Sequence, residues 1–274
     1  MNIRGGLPAI DAGRLRDAVA GKWDLRAVVP ETGSTNDDAA LVASLHPGDP
    51  SWPGVLVVAD HQTGGRGRRG RQWTAPPRTS VAVSVAFTPR VTTARWGWIP
   101  LLAGQAVRDS VTAMLDALGE TCRARIKWPN DVLLDGPAPG KLSGVLAEVR
   151  GATAVVGAGI NTNLEGDDLP GTATSLRLAT GHVIDPTEVV TGYLATLHEW
   201  LTRWLDADGD ADTAGLRAAH LAASATVGRG VDVHTPTGVV SGRAVDVDAV
   251  GCLVVDVPDQ GRVSLSAGDV VHVR

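Results

Sequence analysis

Hydrophobic positions along the chain predict strands alternating with amphipathic helices. Short apolar runs predict strands at residues 25–29, 54–60, 81–87, 140–148 and 154–160, and residues 125–132 predict a strand end that is broken by proline. Apolar positions at helical spacing predict helices at residues 9–20, 39–45, 98–118, 186–206 and 213–222. The apolar stripe along 186–206 is typical of a helix face buried in a core.

The pattern changes near residue 226. Val-rich runs at residues 231–233, 239–247, 252–257, 263–265 and 270–273 alternate with Gly, Pro and Asp turns and show no helical period. This predicts a small five-stranded barrel. We therefore predict two domains, residues 1–224 and residues 225–274.

A loop rich in glycine and arginine follows the strand at 54–60. It reads GGRGRRGR over residues 64–71 and contains four arginines and no acid. Glycine lets backbone N–H groups approach a ligand closely, and the arginine fork of donors fits phosphate or carboxylate. The loop predicts an anion site, and a solvated basic surface loop is the plain alternative.

Three known glycine motifs overlap this loop, and the neighbouring residues exclude all of them. A dinucleotide fingerprint must be followed by a helix, which Pro76 and Pro77 forbid. A P-loop needs Lys and Ser or Thr where Arg71 and Gln72 stand. A kinase loop needs Val-Ala-Ile-Lys, His-Arg-Asp and Asp-Phe-Gly motifs, which the sequence lacks.

Charge is segregated along the chain. Residues 61–108 contain eight arginines and no acid or lysine, a formal charge of +8, whereas the whole chain carries −5 and the remainder therefore −13. The asymmetry predicts a surface for an anion: a nucleotide, a carboxylate substrate or a nucleic acid. Only three of the 25 basic residues are lysines (Lys22, Lys127 and Lys141), so a lysine inside a motif indicates a need for a compact ammonium.

Two of these lysines lie at predicted strand ends that carry polar residues. Lys127 is followed by Trp128-Pro129-Asn130-Asp131, and Lys141 opens the next strand after the turn at 135–140. The hairpin allows Asp131 and Lys141 to meet. A hairpin with charged ends is the plain alternative.

Two further polar segments are candidates for ligand contact. Ser34, Thr35 and Asn36 precede a predicted helix, where Thr35 followed by Asp38 is typical of a capping residue and where a helix start also suits an anion. Residues 157–163, GAGINTN, place small residues and amides at a strand end. Such a segment suits close backbone contact with a ligand or an Asn-rich turn.

Composition narrows the class of protein. The 274 residues are 43% apolar and 20% charged, as in ordinary soluble globular proteins. No apolar run approaches the roughly 18 residues that span a bilayer, and residues 1–6 lack the apolar core of a signal peptide. Cys122 and Cys252 lie far apart without metal-ligand spacing, so we expect a cytoplasmic protein without membrane contact.

Five motifs together resemble the biotin protein ligases. In the family's order they are Ser34-Thr35-Asn36, Gln62-x-x-Gly65-Arg66-Gly67-Arg68-Arg69-Gly70-Arg71-x-Trp73, Lys127-Trp128-Pro129-Asn130-Asp131, Lys141-Leu142-x-Gly144-Val145-Leu146-x-Glu148 and Gly157-x-Gly159-Ile160-Asn161. The resemblance covers residues 25–274. It implies an α+β fold in which a mixed sheet flanked by helices, of the class II synthetase type, precedes a small SH3-like barrel.

The sequence departs from the family pattern in two places. The turn between Asp131 and Lys141 carries two prolines and is longer than usual. The segment before residue 25 is too short for the winged-helix domain of the family's repressor members, so we expect the monofunctional type.

The resemblance also implies an activity. It implies an ATP-dependent ligase that activates biotin as biotinyl-5'-AMP, releases pyrophosphate and transfers biotin to a lysine of a biotin carboxyl carrier domain in acetyl-CoA, acyl-CoA or pyruvate carboxylases. The implied substrates are biotin and ATP with Mg²⁺, without a tightly bound cofactor. Specific DNA binding is not expected.

The resemblance assigns roles residue by residue. The implied biotin-binding residues are Ser34, Thr35, Asn36, Gln62, Arg66, Gly67, Arg68, Lys141 and Gly144. The implied ATP-binding residues are Arg71, Trp73, Lys127, Asn130 and Asn161. Catalysis is assigned to Lys141, Arg68 and Asp131, and Asp131 is also the implied magnesium ligand.

Two other classes remain as alternatives. A lipoyl or other acyl-protein ligase would share the sheet and a motif lysine, but it is not expected to carry the GRGRRGR loop. A nucleic-acid-binding regulator would use residues 61–108, yet this span lacks interleaved aromatic residues and the chain shows no helix-turn-helix pattern.

Overall fold

The structure, a computed structural model, describes residues 6–45, 54–166 and 171–273. The expectation about a signal peptide concerns residues that lie mostly outside this part of the chain. A mixed seven-stranded sheet forms the larger layer, in the order β1-β2-β3-β7-β6-β5-β4. Its strands are β1 (Asp24–Val29), β2 (Val55–Ala59), β3 (Ser80–Phe87), β4 (Ala124–Lys127), β5 (Asp131–Leu134), β6 (Gly140–Arg150) and β7 (Thr153–Asn161).

Only β1 and β2 pair in parallel within this sheet, and the other neighbours are antiparallel. Helices cover both faces. They are α1 (Ala12–Val19), α2 (Thr35–Ala43), α3 (Trp98–Ala117), α4 (Leu176–Thr180), α5 (Pro186–Asp206) and α6 (Leu216–Ala223). The long helices α3 and α5 bury the main core against one face, and the short α2 packs Ala39 and Ala43 against the other. The predicted mixed sheet flanked by helices is confirmed.

A second, antiparallel sheet of five strands follows. Its order is β11-β10-β9-β8-β12, with β8 (Gly230–Thr235), β9 (Gly238–Val247), β10 (Leu253–Val257), β11 (Gly261–Leu265) and β12 (Asp269–Val273). The indoles of Trp98 and Trp128 donate to Ala249 O (3.0 Å) and Gly251 O (3.2 Å) in this unit. One hydrophobic core runs through both sheets, so the division at residues 224 and 225 stays a prediction.

Two helices differ from the sequence prediction. Helix α2 begins at Thr35, four residues early, and the prediction that Thr35 caps it is wrong: Ser34 occupies the cap position without a side-chain cap bond. Helix α4 was not predicted, because its five residues are too few to show a period. Ser175 caps it by accepting from Leu178 N–H at 3.2 Å. In the described residues no helix is both long and apolar enough to cross a membrane.

A buried histidine makes the stability of the fold depend on pH. His220 in α6 is fully buried edge-on to Trp98, and burial lowers its pKa from 6.5 to about 4. In the unfolded chain His220 binds a proton below pH 6.5, whereas in the folded chain it binds one only below about pH 4. Between these values the wild type should therefore lose roughly 3 kcal/mol of unfolding free energy through this group.

Replacing His220 with leucine should remove this loss of unfolding free energy at acidic pH. Urea unfolding at pH 7.5, 6 and 5 checks it, with His182→Leu, an exposed histidine, as the control. Equal pH dependence in the wild type and His220→Leu would contradict the assignment.

Candidate active site

One cavity collects residues from every motif singled out in the sequence. It lies over β3, β5, β6 and β7, beside the start of α2 and beneath the loop at 62–73. Of the predicted site residues, its lining includes Ser34, Thr35, Asn36, Gln62, Arg66, Gly67, Arg68, Arg71, Trp73, Asn130, Asp131, Lys141 and Gly144. Its lining also includes Gln72, Ala82, Val145, Leu146, Gly157, Ala158 and Gly159, which complete the wall with mostly small or apolar residues.

Buried polar groups meet at the start of α2. Gln62 Oε1 accepts from Thr35 N–H (2.8 Å) and lies 3.0 Å from Thr35 Oγ1. Ser84, in the middle of β3, places its Oγ 2.7 Å from both Thr35 Oγ1 and Asn36 Oδ1. Asn36 in turn donates to Glu148 Oε2 at 2.8 Å. The helix start is therefore anchored to β3 and β6 through side chains.

The arginine loop folds back on itself over the cavity. Gly67 N–H donates to Arg71 O (2.6 Å), and Trp73 N–H donates to Gly65 O (2.9 Å). Residues 68–70 form a 3₁₀ turn in which Arg69 takes a positive φ of 55°. That conformation is unfavourable for a side chain with a Cβ atom, so the loop needs outside contacts to hold it.

Acids that are distant in sequence supply those contacts. Arg66 makes a two-pronged pair with Asp37 (2.6 and 2.7 Å). This hydrogen bond lowers the pKa of the Asp37 carboxyl and raises the pKa of Arg66. Asp269 at the start of β12 pairs with Arg71 and, at 3.3 Å, with Arg69. Neither acid lies in a motif, and for that reason neither was predicted as a site residue.

Arg68 is more buried than the other arginines of the loop. Its Nη1 lies 3.4 Å from Gly268 O, and burial lowers its pKa. It lines the cavity described above and also a neighbouring apolar cavity between α3 and the second sheet. Arg68 is therefore a cation at the inner end of the loop that lies near Asp269 and Asp131 and, in the described residues, forms an ion pair with neither.

The predicted meeting of Asp131 and Lys141 is confirmed. Lys141 Nζ lies 2.7 Å from Asp131 Oδ1, across the hairpin of β5 and β6. The ammonium also lies 5.6 Å from the ring centroid of Trp73. The Trp73 indole packs on β7 where residue 159 has no side chain; a Cβ at Gly159 would stand 2.4 Å from Trp73 Cε2.

Two predicted nucleotide contacts do not reach the cavity. Lys127 ends β4 and is opposite Asp131 in register, but it does not line the cavity. Asn161 is buried at the end of β7, where its amide donates to Thr174 O at 2.9 Å. By contrast, Asn130 lines the cavity and donates to Val145 O at 2.8 Å. The structure thus gives Asn161 a role in holding the chain, and its role in nucleotide binding stays a prediction.

Two known protein families match this chain. Residues 31–163 match the biotin/lipoate A/B protein ligase family, and residues 226–273 match the biotin protein ligase C-terminal domain. The chain is 38% identical to a biotin–[acetyl-CoA-carboxylase] ligase of Mycobacterium tuberculosis, over 97% of each chain. It is 33% identical to the enzyme of that name from Paracoccus denitrificans, over 89% of this chain and 98% of the relative.

The chain belongs to the biotin protein ligase family. Its fold is similar to that of the biotin protein ligase from Aquifex aeolicus solved in complex with biotin and ATP, with a TM-score of 0.70 and 24% identity. The match covers 92% of this chain and 99% of that one. This confirms the predicted fold class of a mixed sheet followed by a small β-unit.

The ligase's basic span is not an open cationic surface. Within the described part of the chain, at least five of the eight arginines in residues 61–108 form ion pairs. Four of them pair with acids on distant elements (Arg66, Arg69, Arg71 and Arg95), and Arg108 pairs with the adjacent Asp109. Much of the positive charge of the predicted anion surface is therefore held in ion pairs, and its role in binding an anion stays a prediction. The charge asymmetry in sequence reflects partners that the fold brings together.

The site shows no preformed metal centre. Within residues 6–45, 54–166 and 171–273, no group of three His, Cys, Asp or Glu side chains is arranged to hold a metal ion. Asp131 is the one carboxylate among the cavity-lining residues in these ranges, and Lys141 already neutralises it. One carboxylate suits an ion that arrives with a nucleotide and keeps most of its other ligands.

Proposed function

We propose that this chain activates biotin as biotinyl-5'-AMP, with release of pyrophosphate, and transfers the biotinyl group to a lysine of a biotin carboxyl carrier domain. The observation that carries the proposal is the cavity in which Thr35 and Gln62, the arginine loop and the Asp131–Lys141 pair meet. Family membership supports the same activity. One site thus contains polar groups for a urea, cations for a carboxylate and a phosphate, and a loop that covers them.

The first step brings two anions together. The biotin carboxylate attacks the α-phosphorus of ATP; a C–O–P bond forms and the bond to pyrophosphate breaks. At about 3.5 Å and an effective dielectric near 20, the repulsion between the two anions is about 5 kcal/mol. Lys141 and Arg68, which both line the cavity, offset this repulsion and so lower the barrier.

The substrates divide the cavity. Ser34, Thr35 and Gln62 hold the biotin head, with Arg66 and Lys141 at its carboxylate. Arg71, Trp73 and Asn130 face the nucleotide. Because Arg66 and Arg71 are paired with Asp37 and Asp269, substrate anions must exchange with these acids. Mg²⁺ arriving with ATP would be held by Asp131 together with the phosphates.

The second step transfers the biotinyl group. The carrier lysine amine attacks the carbonyl carbon of the mixed anhydride, an amide forms and AMP leaves. The amine loses a proton, and Asp131 is the carboxylate placed to receive it. The mixed anhydride reacts with water, so the loop at 64–73 protects it by covering the cavity.

We place the ligase in the reducing cytoplasm. Cys122 and Cys252 are both free thiols, and Cys122 is buried. Disulfides form and persist in oxidising compartments and are rare in the cytosol, and these two residues form none.

An ATP–pyrophosphate exchange assay tests the proposal. Exchange is measured with biotin, with lipoate and with no acid, followed by labelling of a purified carrier domain. We expect biotin alone to support exchange and the carrier lysine to be labelled. Exchange with lipoate only would identify a lipoyl ligase, and the absence of exchange with any acid would contradict the ligase proposal.

A further inference from the structure

We propose that Ser84 is a positioning residue that turns the Thr35 hydroxyl so that the cavity presents two hydrogen-bond acceptors to a ligand N–H. Ser84 is fully buried in β3 and does not line the cavity. Its Oγ nevertheless touches two residues that do, Thr35 and Asn36, each at 2.7 Å. The inference rests on the proposed function, because the ligand considered is the cyclic urea of biotin.

The Asn36 amide has one orientation. Its Nδ2 donates to Glu148 Oε2 (2.8 Å) and lies 3.4 Å from Leu146 O, so Oδ1 faces Ser84. An amide oxygen can only accept, so Ser84 donates its single hydroxyl hydrogen to Asn36. If Ser84 donated this hydrogen elsewhere, its Oγ and Asn36 Oδ1 would be two buried acceptors 2.7 Å apart, which is unfavourable.

Ser84 Oγ lies 2.7 Å from Thr35 Oγ1, and because the one hydrogen of Ser84 is given to Asn36, the hydrogen in this second contact comes from Thr35. The alternative acceptor, Gln62 Oε1, is farther away, at 3.0 Å against 2.7 Å. Gln62 cannot turn its amide, because Thr35 N–H needs an acceptor and finds Oε1 at 2.8 Å. Thr35 Oγ1 and Gln62 Oε1 therefore remain as two acceptors, 3.0 Å apart, on the cavity wall.

This acceptor pair fits an N–H group. Two oxygens at that separation repel each other until a donor approaches both, and a cyclic urea carries two N–H donors. The hydrogen bonds run from Thr35 through Ser84 and Asn36 to the Glu148 carboxylate, which also pairs with Arg150 at 3.0 Å. Chains that end on a charge strengthen cooperatively. Ser84 thus favours N–H ligands without touching them.

Ser84→Ala tests the inference. Without the serine hydroxyl, Thr35 turns its hydrogen to Gln62 Oε1, and a ligand N–H must compete for that oxygen. We expect the calorimetric Kd for biotin to rise on the order of tenfold. The two cyclic carbamate analogues of biotin, each with one ureido N–H replaced by oxygen, are titrated in parallel. For the analogue that lacks the N–H facing Thr35 Oγ1 and Gln62 Oε1, we expect Ser84→Ala to change the Kd by less than about twofold.

Ser143→Ala is the matched control. Ser143 is equally buried in the neighbouring strand β6, but its hydroxyl has no hydrogen-bond partner in the described part of the chain. We expect this variant to bind biotin as the wild type does.

The outcomes separate the two proposals. A wild type that fails to bind biotin overturns the proposed function, and the inference with it. A wild type that binds biotin while Ser84→Ala binds it equally well overturns the inference alone. Equal weakening of biotin and both analogues by Ser84→Ala would show a general packing effect and would also overturn it.

Discussion

Lys141→Ala should lower biotin-dependent pyrophosphate exchange by on the order of a thousandfold. Lys141 lines the cavity, where its ammonium neutralises Asp131 at 2.7 Å. Its removal leaves the Asp131 carboxylate beside the biotin carboxylate and the α-phosphate. The lost attraction and the new repulsion together amount to about 5 kcal/mol, which corresponds to three or more decades in rate.

Two further variants make this prediction specific. Lys141→Arg should also be poor, because the planar guanidinium cannot replace a compact ammonium held between Asp131 and the Trp73 ring. Lys22→Ala removes an exposed lysine and should exchange as the wild type does. If Lys141→Arg retained most of the exchange rate, the special role of the ammonium would be wrong.

Arg68→Gly should form the adenylate more slowly than the wild type, because Lys141 alone then offsets the repulsion between the substrate anions, and should release the adenylate once it has formed. Arg68 lies at the inner end of the loop, and among the residues that the structure describes its guanidinium donates to the Gly268 carbonyl at 3.4 Å and pairs with no acid, so its charge is available to the adenylate phosphate. A lost hydrogen bond between charged groups corresponds to roughly 10- to 100-fold faster dissociation. Free biotinyl-5'-AMP then acylates exposed lysines of any protein. Retention of radiolabelled adenylate on gel filtration, and labelling of a bystander protein, measure both effects.

Arg69→Gly is the control for loop flexibility. Arg69 lies in the same 3₁₀ turn at a positive φ, which glycine adopts freely, and it is paired with Asp269. This variant removes one charge from the loop without touching the cavity lining, and it should retain the adenylate. Arg68 would not be the retaining residue if Arg68→Gly labelled only the carrier while still forming adenylate.

The sequence by itself determined the elements and the chemistry that is local in the chain. Strands and helices follow from apolar spacing of 2 and 3.6 residues, which each segment carries in its own residues. Hence the core strands, α3, α5 and the five strands after residue 226 lie close to their predicted bounds. The meeting of Asp131 with Lys141 was also predictable, because a hairpin joins the two strands that carry them.

Only the tertiary structure decided which distant groups meet. Asp37, Glu148 and Asp269 neutralise the arginine loop, yet they come from α2, β6 and β12. In the sequence Ser84 is a single polar residue within an apolar strand, and nothing local marks it as part of the site. Its contact with Thr35 and Asn36 depends on how α2 crosses β3. Such contacts are set by strand register and helix packing across 29 to 200 positions of sequence separation, and no local pattern encodes them.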